Sequence, residues 1–410
     1  MLHWPTHLIR IEKSMAQTRS ATAGQGIKER APESLTVQRV QSGRDRRDFL
    51  ELPYRLYRRD PHWVAPLRIA QKDILNVAKH PFYRTSEVEM FLAERGKRVV
   101  GRIMAILNRA HNEFHHEKAG GFGFFEVEDD LDAAVALLDA AGQWLRQRGA
   151  EVIRGPFNPS TNYECGLLVE GFDSDPFVMM TYNPVYYAGL LEQCGFRKAM
   201  DLYAYSVDHE SFSHSDKLKR VADRARSKTR LTLRTVNLKD FANEVERLRV
   251  VYNDAWSKNW GFVPVTREEF EHLAKDLKQI VDPQVVYIAE RVEEGAAEPR
   301  AVGFFLAVPD FNQALKKAKG RLLPFGILKL LWHSRKIHSI RIITMGTIKE
   351  LQSLGVAAIF YNEIYSKVPE HGYGTGEMSW VLESNTLMNR SAELLGGKRY
   401  KTYRIYEANM

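Results

Sequence analysis

Residues 339–368 read SIRIITMGTIKELQSLGVAAIFYNEIYSKV. Ile340, Ile342, Ile343 and Thr344 make a β-branched run, Gln352-Ser353-Leu354-Gly355-Val356-Ala357 makes a polar turn, and the apolar positions beyond recur at helical spacing. The reading is strand, glycine turn, helix. A helix N-terminus carries unpaired N–H groups and the positive end of a dipole, and Gly355 lacks the Cβ that would keep a pyrophosphate at a distance. No Asp or Glu lies between Asp310 and Glu350, so nothing in that span repels an anion.

The formal net charge of the 410 residues is +8, and nine Lys or Arg residues with no acid lie between Phe311 and Lys349. The excess charge is therefore expected around the turn. It admits a phosphorylated cofactor, an anionic membrane or a nucleic acid as partner. Nucleic acid is disfavoured because the basic run is interleaved with Leu rather than with stacking aromatics. The two cysteines, Cys165 and Cys194, have neither disulfide nor metal-ligand spacing, so no metal and a reducing compartment are expected. No stretch has the apolar core of a signal peptide or the length of a membrane span, which predicts a cytoplasmic protein. Residues 1–34 are polar and rich in Ser, Ala, Gly and Arg, and are read as a disordered tail.

From residue 35 onward the chain states one α/β grammar twice. Phe91-Leu92-Ala93-Glu94-Arg95 is echoed by Tyr287-Ile288-Ala289-Glu290-Arg291, and Val100-Gly101 with Ala105 by Val302-Gly303 with Ala307. HWVAP at 62–66 has a counterpart in NWGFVP at 259–264, and Asn183 and Asn385 each stand twelve residues before a glycine that opens an aromatic strand. A diverged duplication gives such offsets. The expected organisation is 35–210 and 241–410 as two copies of a mixed sheet with flanking helices, with 211–240 as a basic helical connector. The first copy begins the matching helix with Glu128, Asp129, Asp130 and Asp132, acids that cap a helix but repel a pyrophosphate.

The Q-x-x-G-x-A spacing at Gln352–Ala357 resembles the coenzyme-A loop of GNAT acyltransferases. The pairing of one intact with one degenerate copy resembles tandem GNAT proteins, including Fem-type aminoacyl transferases. The phrases RGPFNPSTNYECGLLVEGF, MMTYNPVYY and KTYRIYE resemble GNAT-like bacterial ceramide synthases and their relatives over about residues 35–410. That likeness implies transfer of an acyl group from acyl-CoA to a lipid-like amine such as a sphingoid base. It also implies a cofactor site at Met345, Gly346, Thr347, Gln352, Ser353, Leu354, Gly355, Val356, Ala357 and Asn385. The family's usual acid, a Tyr about seven residues after the Asn that starts the last helix, is replaced here by Ala392 or Glu393. Alternation places Glu377, Ser379, Val381 and Glu383 on one face of a strand, with Glu383, nearest the helix start, and Glu377 as candidate bases. Dense polar residues in the first copy make Asn158, Glu164 and Tyr182 candidate acceptor contacts. A Fem-type transferase using aminoacyl-tRNA and a non-catalytic binding protein on this scaffold are the alternatives.

The link between the two central strands is 13 residues long in the first copy (108–120) and 30 in the second (309–338). The longer one contains ALKKAKGRLLPFGILKLLWHSRKIH. A helical reading over 325–336 sets Lys329, His333 and Lys336 opposite Ile327, Leu330 and Leu331, with Trp332 at the boundary. A basic flank, a Leu-rich face and a Trp are the profile of a segment lying on an anionic membrane, here expected to be the inner surface.

Overall fold

The computed structural model describes residues 33–210, 216–295 and 298–410, and the expected tail to residue 32 lies outside them. Residues 35–410 build a mixed α/β architecture on one 13-stranded sheet with helices on its faces. In the first half, β1 (Leu35–Arg39), β2 (Ser86–Arg95), β3 (Arg98–Asn108) and β4 (Ala119–Val127) run antiparallel to their neighbours, and β5 (Val152–Gly155) joins β4 in parallel. A small hairpin, β6 (Phe157–Asn158) with β7 (Glu164–Cys165), is followed by β8 (Leu167–Glu170) and β9 (Arg197–Asp208). The second half repeats the order with β10 (Thr232–Thr235), β11 (Val286–Arg291), β12 (Arg300–Pro309), β13 (Ser339–Thr347), β14 (Thr375–Leu382) and β15 (Lys398–Asn409), and β13 and β14 are again the parallel pair.

Both halves exchange their last strands. β9 pairs with β14 of the second half, while β15 inserts between β9 and β5 of the first. A strand buried on both faces is largely apolar, and β3 is so from Val99 to Leu107 apart from Arg102, because helices cover it on both sides. These are α1 (Gly43–Leu56) and, as α2, the helix Leu131–Arg146, which offers Ala133, Ala134, Leu137, Leu138, Ala141 and Leu145 to the sheet. In the second half, α3 (Asp216–Thr229), α4 (Phe241–Ala255) and α5 (Arg267–Lys278) precede β11. The long link forms α6 (Asn312–Ala318) and α7 (Gly326–Ser334), the helix after β13 is α8 (Val356–Lys367), and the helix before β15 is α9 (Thr386–Leu394).

Candidate active site

Parallel strands that pair for only part of their length leave a wedge between them. β13 and β14 are in register from Ser339–Thr375 to Ile342–Met378 and no further, so Ile343–Thr347 have no ladder partner on that side. In the first half β4 and β5 part in the same way after Gly121–Arg154. That wedge is filled: Phe157–Asn158 runs into it, Asn158 Oδ1 accepts the Phe124 amide at 2.7 Å, and a Cβ on Gly123 would overlap the Phe157 carbonyl oxygen.

The two helix starts differ equally. Asp130 caps α2, accepting the Ala133 amide at 3.1 Å, and pairs with Arg95 at 2.8 Å. Cation and N-terminus are thus already satisfied by the chain's own carboxylate. In the second half a 3₁₀ turn, Lys349–Leu354, leads to Gly355 at φ 77°, and no side chain caps α8. Gln352 Nε2 donates to the carbonyls of Ala255 (3.1 Å) and Thr347 (3.3 Å), which ties the turn to α4 and to the end of β13. Ser353 and Ala357 are exposed, Leu354 half-buried and Val356 in the core. Met345 and Gly346 border the wedge, with Gly346 under the Trp256 ring. The connector helix α3 packs on α8 and brings Val221 and Ala225 beside Gly355. At the start of the turn the Lys349 amide donates to Asp254 Oδ2 at 2.8 Å. Asn385 caps α9 through the Met388 amide at 3.1 Å.

On the face covered by α4 and α5 the wedge meets a cavity of about 290 Å³. Leu248, Tyr252, Trp256, Phe262, Phe270, Leu273 and Phe304 make it apolar. The first half lines part of it: Thr161, Asn162, Tyr163 and Cys165 reach across, with Thr161 Oγ1 donating to the Gly261 carbonyl at 2.7 Å and Tyr252 OH to Asn162 Oδ1 at 3.0 Å. A second cavity of about 380 Å³ in the first half shares Tyr163, Met179, Leu273 and Leu277 with it. Asn158, Glu164 and Tyr182 all line this second cavity, where burial pushes the Glu164 carboxyl up to about 7 and Tyr182 OH donates to Asp60 at 3.2 Å.

The two candidate bases do not share a face. A bulge at Ser379–Trp380 adds one residue between the pairs Met378–Tyr205 and Val381–Tyr203, and one extra residue reverses the side-chain phase beyond it. Glu377 is fully buried, 3.7 Å from Arg341, with the Tyr400 hydroxyl on its other oxygen. Burial raises its carboxyl and the Arg341 guanidinium opposes the rise. Glu383 lies outside both cavities and is engaged by Lys198 Nζ (2.8 Å) and the Asp201 amide (3.1 Å).

Arg341 also corrects the charge count. It was reckoned among the cations around the turn, yet it is wholly buried and lines the cavity, while Lys316 is paired with Asp175. A single cation within an otherwise apolar β-branched run was the available signal. Asp73, His80 and His272 bring ligand atoms within 4.8 Å of one another, which no cysteine pattern could show. His80 Nδ1 accepts the Phe82 amide, so its proton sits on Nε2 and a metal there would have to displace it.

No family model matches the sequence. The fold is that of tandem GNAT proteins: a tandem GNAT protein from the clavulanic acid biosynthesis pathway superposes with a TM-score of 0.51 over 92% of this chain and 98% of its own, at 12% identity. A glucosamine N-acetyltransferase region of a fungal multi-domain β-N-acetylglucosaminidase superposes at 0.52 over 92% of this chain and 38% of that one, at 16% identity. Two curated proteins are much nearer in sequence. The bacterial ceramide synthase of Caulobacter vibrioides is 39% identical over 91% of this chain and 97% of its own length, and protein YghO of Escherichia coli is 36% identical over 88% and 92%. The chain is an N-acyltransferase of tandem GNAT fold. It belongs to the family of the Caulobacter bacterial ceramide synthase.

Proposed function

We propose that the chain uses acyl-CoA as co-substrate and transfers a long-chain acyl group to a lipid-like amine such as a sphingoid base. The supporting observation is the junction of the open β13–β14 wedge with an apolar cavity, beside a helix start that no side chain caps. Met345, Gly346 and Thr347 would flank the thioester, whose carbonyl a free β13 amide would polarise, and the turn from Gln352 to Ala357 would hold the pyrophosphate. Asn385 already spends its side chain on its own helix, so its cofactor role reduces to placing α9. Acyl-CoA supplies an activated carbonyl. The unprotonated amine forms the C–N bond, the C–S bond breaks, the amine proton passes to a base and the departing thiolate takes up a proton.

For the base we favour Glu377, directly or through water, because it is the buried carboxylate opposite Arg341 where β13 and β14 are still in register, and its Oε1, 3.7 Å from Arg341 Nε, accepts no hydrogen bond; like Glu383 it lines neither cavity. Glu383, committed to Lys198, is the weaker candidate. Asn158, Glu164 and Tyr182 are proposed to contact the acceptor from the first-half cavity. The name of the Caulobacter relative supports a lipid amine as acceptor, and α7 supports work at an anionic membrane, here proposed to be the inner surface of the cytoplasmic one. No helix among the described residues is long and apolar enough to cross a membrane. Nothing in this reading requires nucleic acid or a metal.

Thermal shift with acetyl-CoA, palmitoyl-CoA and free CoA tests the reading, since a ligand at 100 times its dissociation constant stabilises by about 2.7 kcal/mol. Gly355→Asp should abolish that shift while the protein stays folded, because it sets an anion at the helix start. Unchanged CoA affinity in the variant would remove the central claim.

A further inference from the structure

The cavity under α4 and α5 is mostly apolar, and β13 and β14 contribute Arg341, Thr344 and Trp380 to its lining. Arg341 is fully buried, donates from Nε to Ser379 Oγ at 2.9 Å and from Nη1 to the Val178 carbonyl at 2.9 Å, and has its guanidinium 4.7 Å from the Trp380 ring centre. Its Nη2 has no partner. Neither has Thr344 Oγ1 or Trp380 Nε1, and all three residues line the cavity. Trp380 is held at φ 44°, a backbone region that bulky residues avoid, by the bulge in β14. Buried donors are ordinarily satisfied, so three unpartnered ones on residues lining one cavity point to a ligand atom.

Arg and Trp donate and never accept, so the atom that completes them is an acceptor oxygen. Arg341 lies where β13 is still paired with β14, below the open part of the wedge proposed for the thioester. Resting on the acyl-transfer reading above, we propose that Arg341, Thr344 and Trp380 form a subsite for an oxygen substituent of the acceptor. The preferred acceptor is then an amine bearing a carbonyl or hydroxyl a few bonds from nitrogen, and a plain alkylamine binds poorly. Holding the oxygen at this subsite would leave the amine facing the wedge.

The test measures the affinity of the full chain for a long-chain amino ketone, a long-chain amino diol and an alkylamine of equal length. The wild type should bind an oxygenated amine at least about tenfold more tightly than the alkylamine, since the alkylamine leaves buried donors unpaired. Thr344→Val, Trp380→Phe and Arg341→Lys should each narrow that ratio. Arg341→Lys keeps the charge beside Glu377 but loses the planar fork, which separates the subsite from a purely structural ion pair. Equal affinities in the wild type, or a ratio that survives all three variants in folded protein, overturn the subsite. Acyl transfer is read separately: loss of turnover with every amine would sink the acyltransfer reading, whereas the affinity ratio decides the subsite in either case.

Discussion

Helix α7 carries no buried residue, and Phe325, Leu328, Leu331 and Trp332 are 66%, 62%, 58% and 62% exposed. This face differs from the sequence expectation by one position, since Leu330 is half-buried and Leu328 takes its place. Arg321, Lys329, Arg335 and Lys336 surround it, with Lys336 over the Trp332 ring at 5.4 Å. We predict that changing Phe325, Leu328, Leu331 and Trp332 together to Ser abolishes binding to anionic vesicles. Full burial of such a side chain is worth about 1.5–3 kcal/mol, so at six-tenths exposed each contributes about 1–2 kcal/mol on lipid. Each nearby cation adds up to about 1 kcal/mol. The fourfold variant should therefore lose at least about a thousandfold in partitioning at about 1.4 kcal/mol per decade, measured by vesicle sedimentation. Binding should also weaken with salt. Because these side chains touch little of the protein, melting should hardly move. A variant that melts much earlier shows the helix to be part of the core, and one that still sediments with vesicles places the contact surface elsewhere; either result refutes the reasoning.

Glu377→Gln should lower turnover strongly with little change in acyl-CoA binding, since a base acts on the amine, and Glu383→Gln should stay within about threefold of the parent in steady-state kinetics. The reverse ranking would return the role to Glu383. Asp310 is buried, accepts the Val178 amide at 2.9 Å, and burial pushes its carboxyl up to about 7. Its folded value exceeds its unfolded one, so the folded state favours the protonated form and stability falls as pH rises from about 4 through 7. Asp310→Asn should accordingly gain melting temperature relative to the parent at pH 8 and lose that advantage by about pH 5; a difference independent of pH would contradict this.

Much of the fold was legible because its signals are local. Val100-Gly101 with Ala105 and Val302-Gly303 with Ala307 read as matching stretches and form β3 and β12, and the β-branched run, glycine and helically spaced stretch from Ile340 to Lys367 read as β13, turn and α8. The strand exchange was not legible, because β9 and β15 have the same aromatic, alternating pattern whichever neighbour they pair with. The phase of β14 was lost for a related reason: a bulge adds one residue to the ladder but leaves no mark in composition. Alternation carried through Ser379 and Trp380 therefore put Glu383 on the face of Glu377. Arg341, as a charge in a count, hid its position in space.

The first half differs from the second at both the helix start and the wedge to which the proposed cofactor site is assigned. The acids at Glu128–Asp132 were reason enough to expect no cofactor there, and Asp130 indeed uses its carboxylate as the cap. The structure adds an independent cause, since the segment after β5 runs back into its own wedge at Gly123 and closes it. That same segment continues as Thr161, Asn162, Tyr163 and Cys165 into the wall of the second-half cavity. Refilling one wedge and walling the other are thus two ends of one stretch of chain. Val178 binds the halves further, its amide on Asp310 and its carbonyl on Arg341, which leaves Met179 at φ 61° in the wall shared by the two cavities. A conformation that costly for a side chain with a Cβ is sustained only by fixed surroundings, and here they are residues of the opposite half. The stretch that fills the first half's wedge thus also supplies part of the second-half cavity's lining.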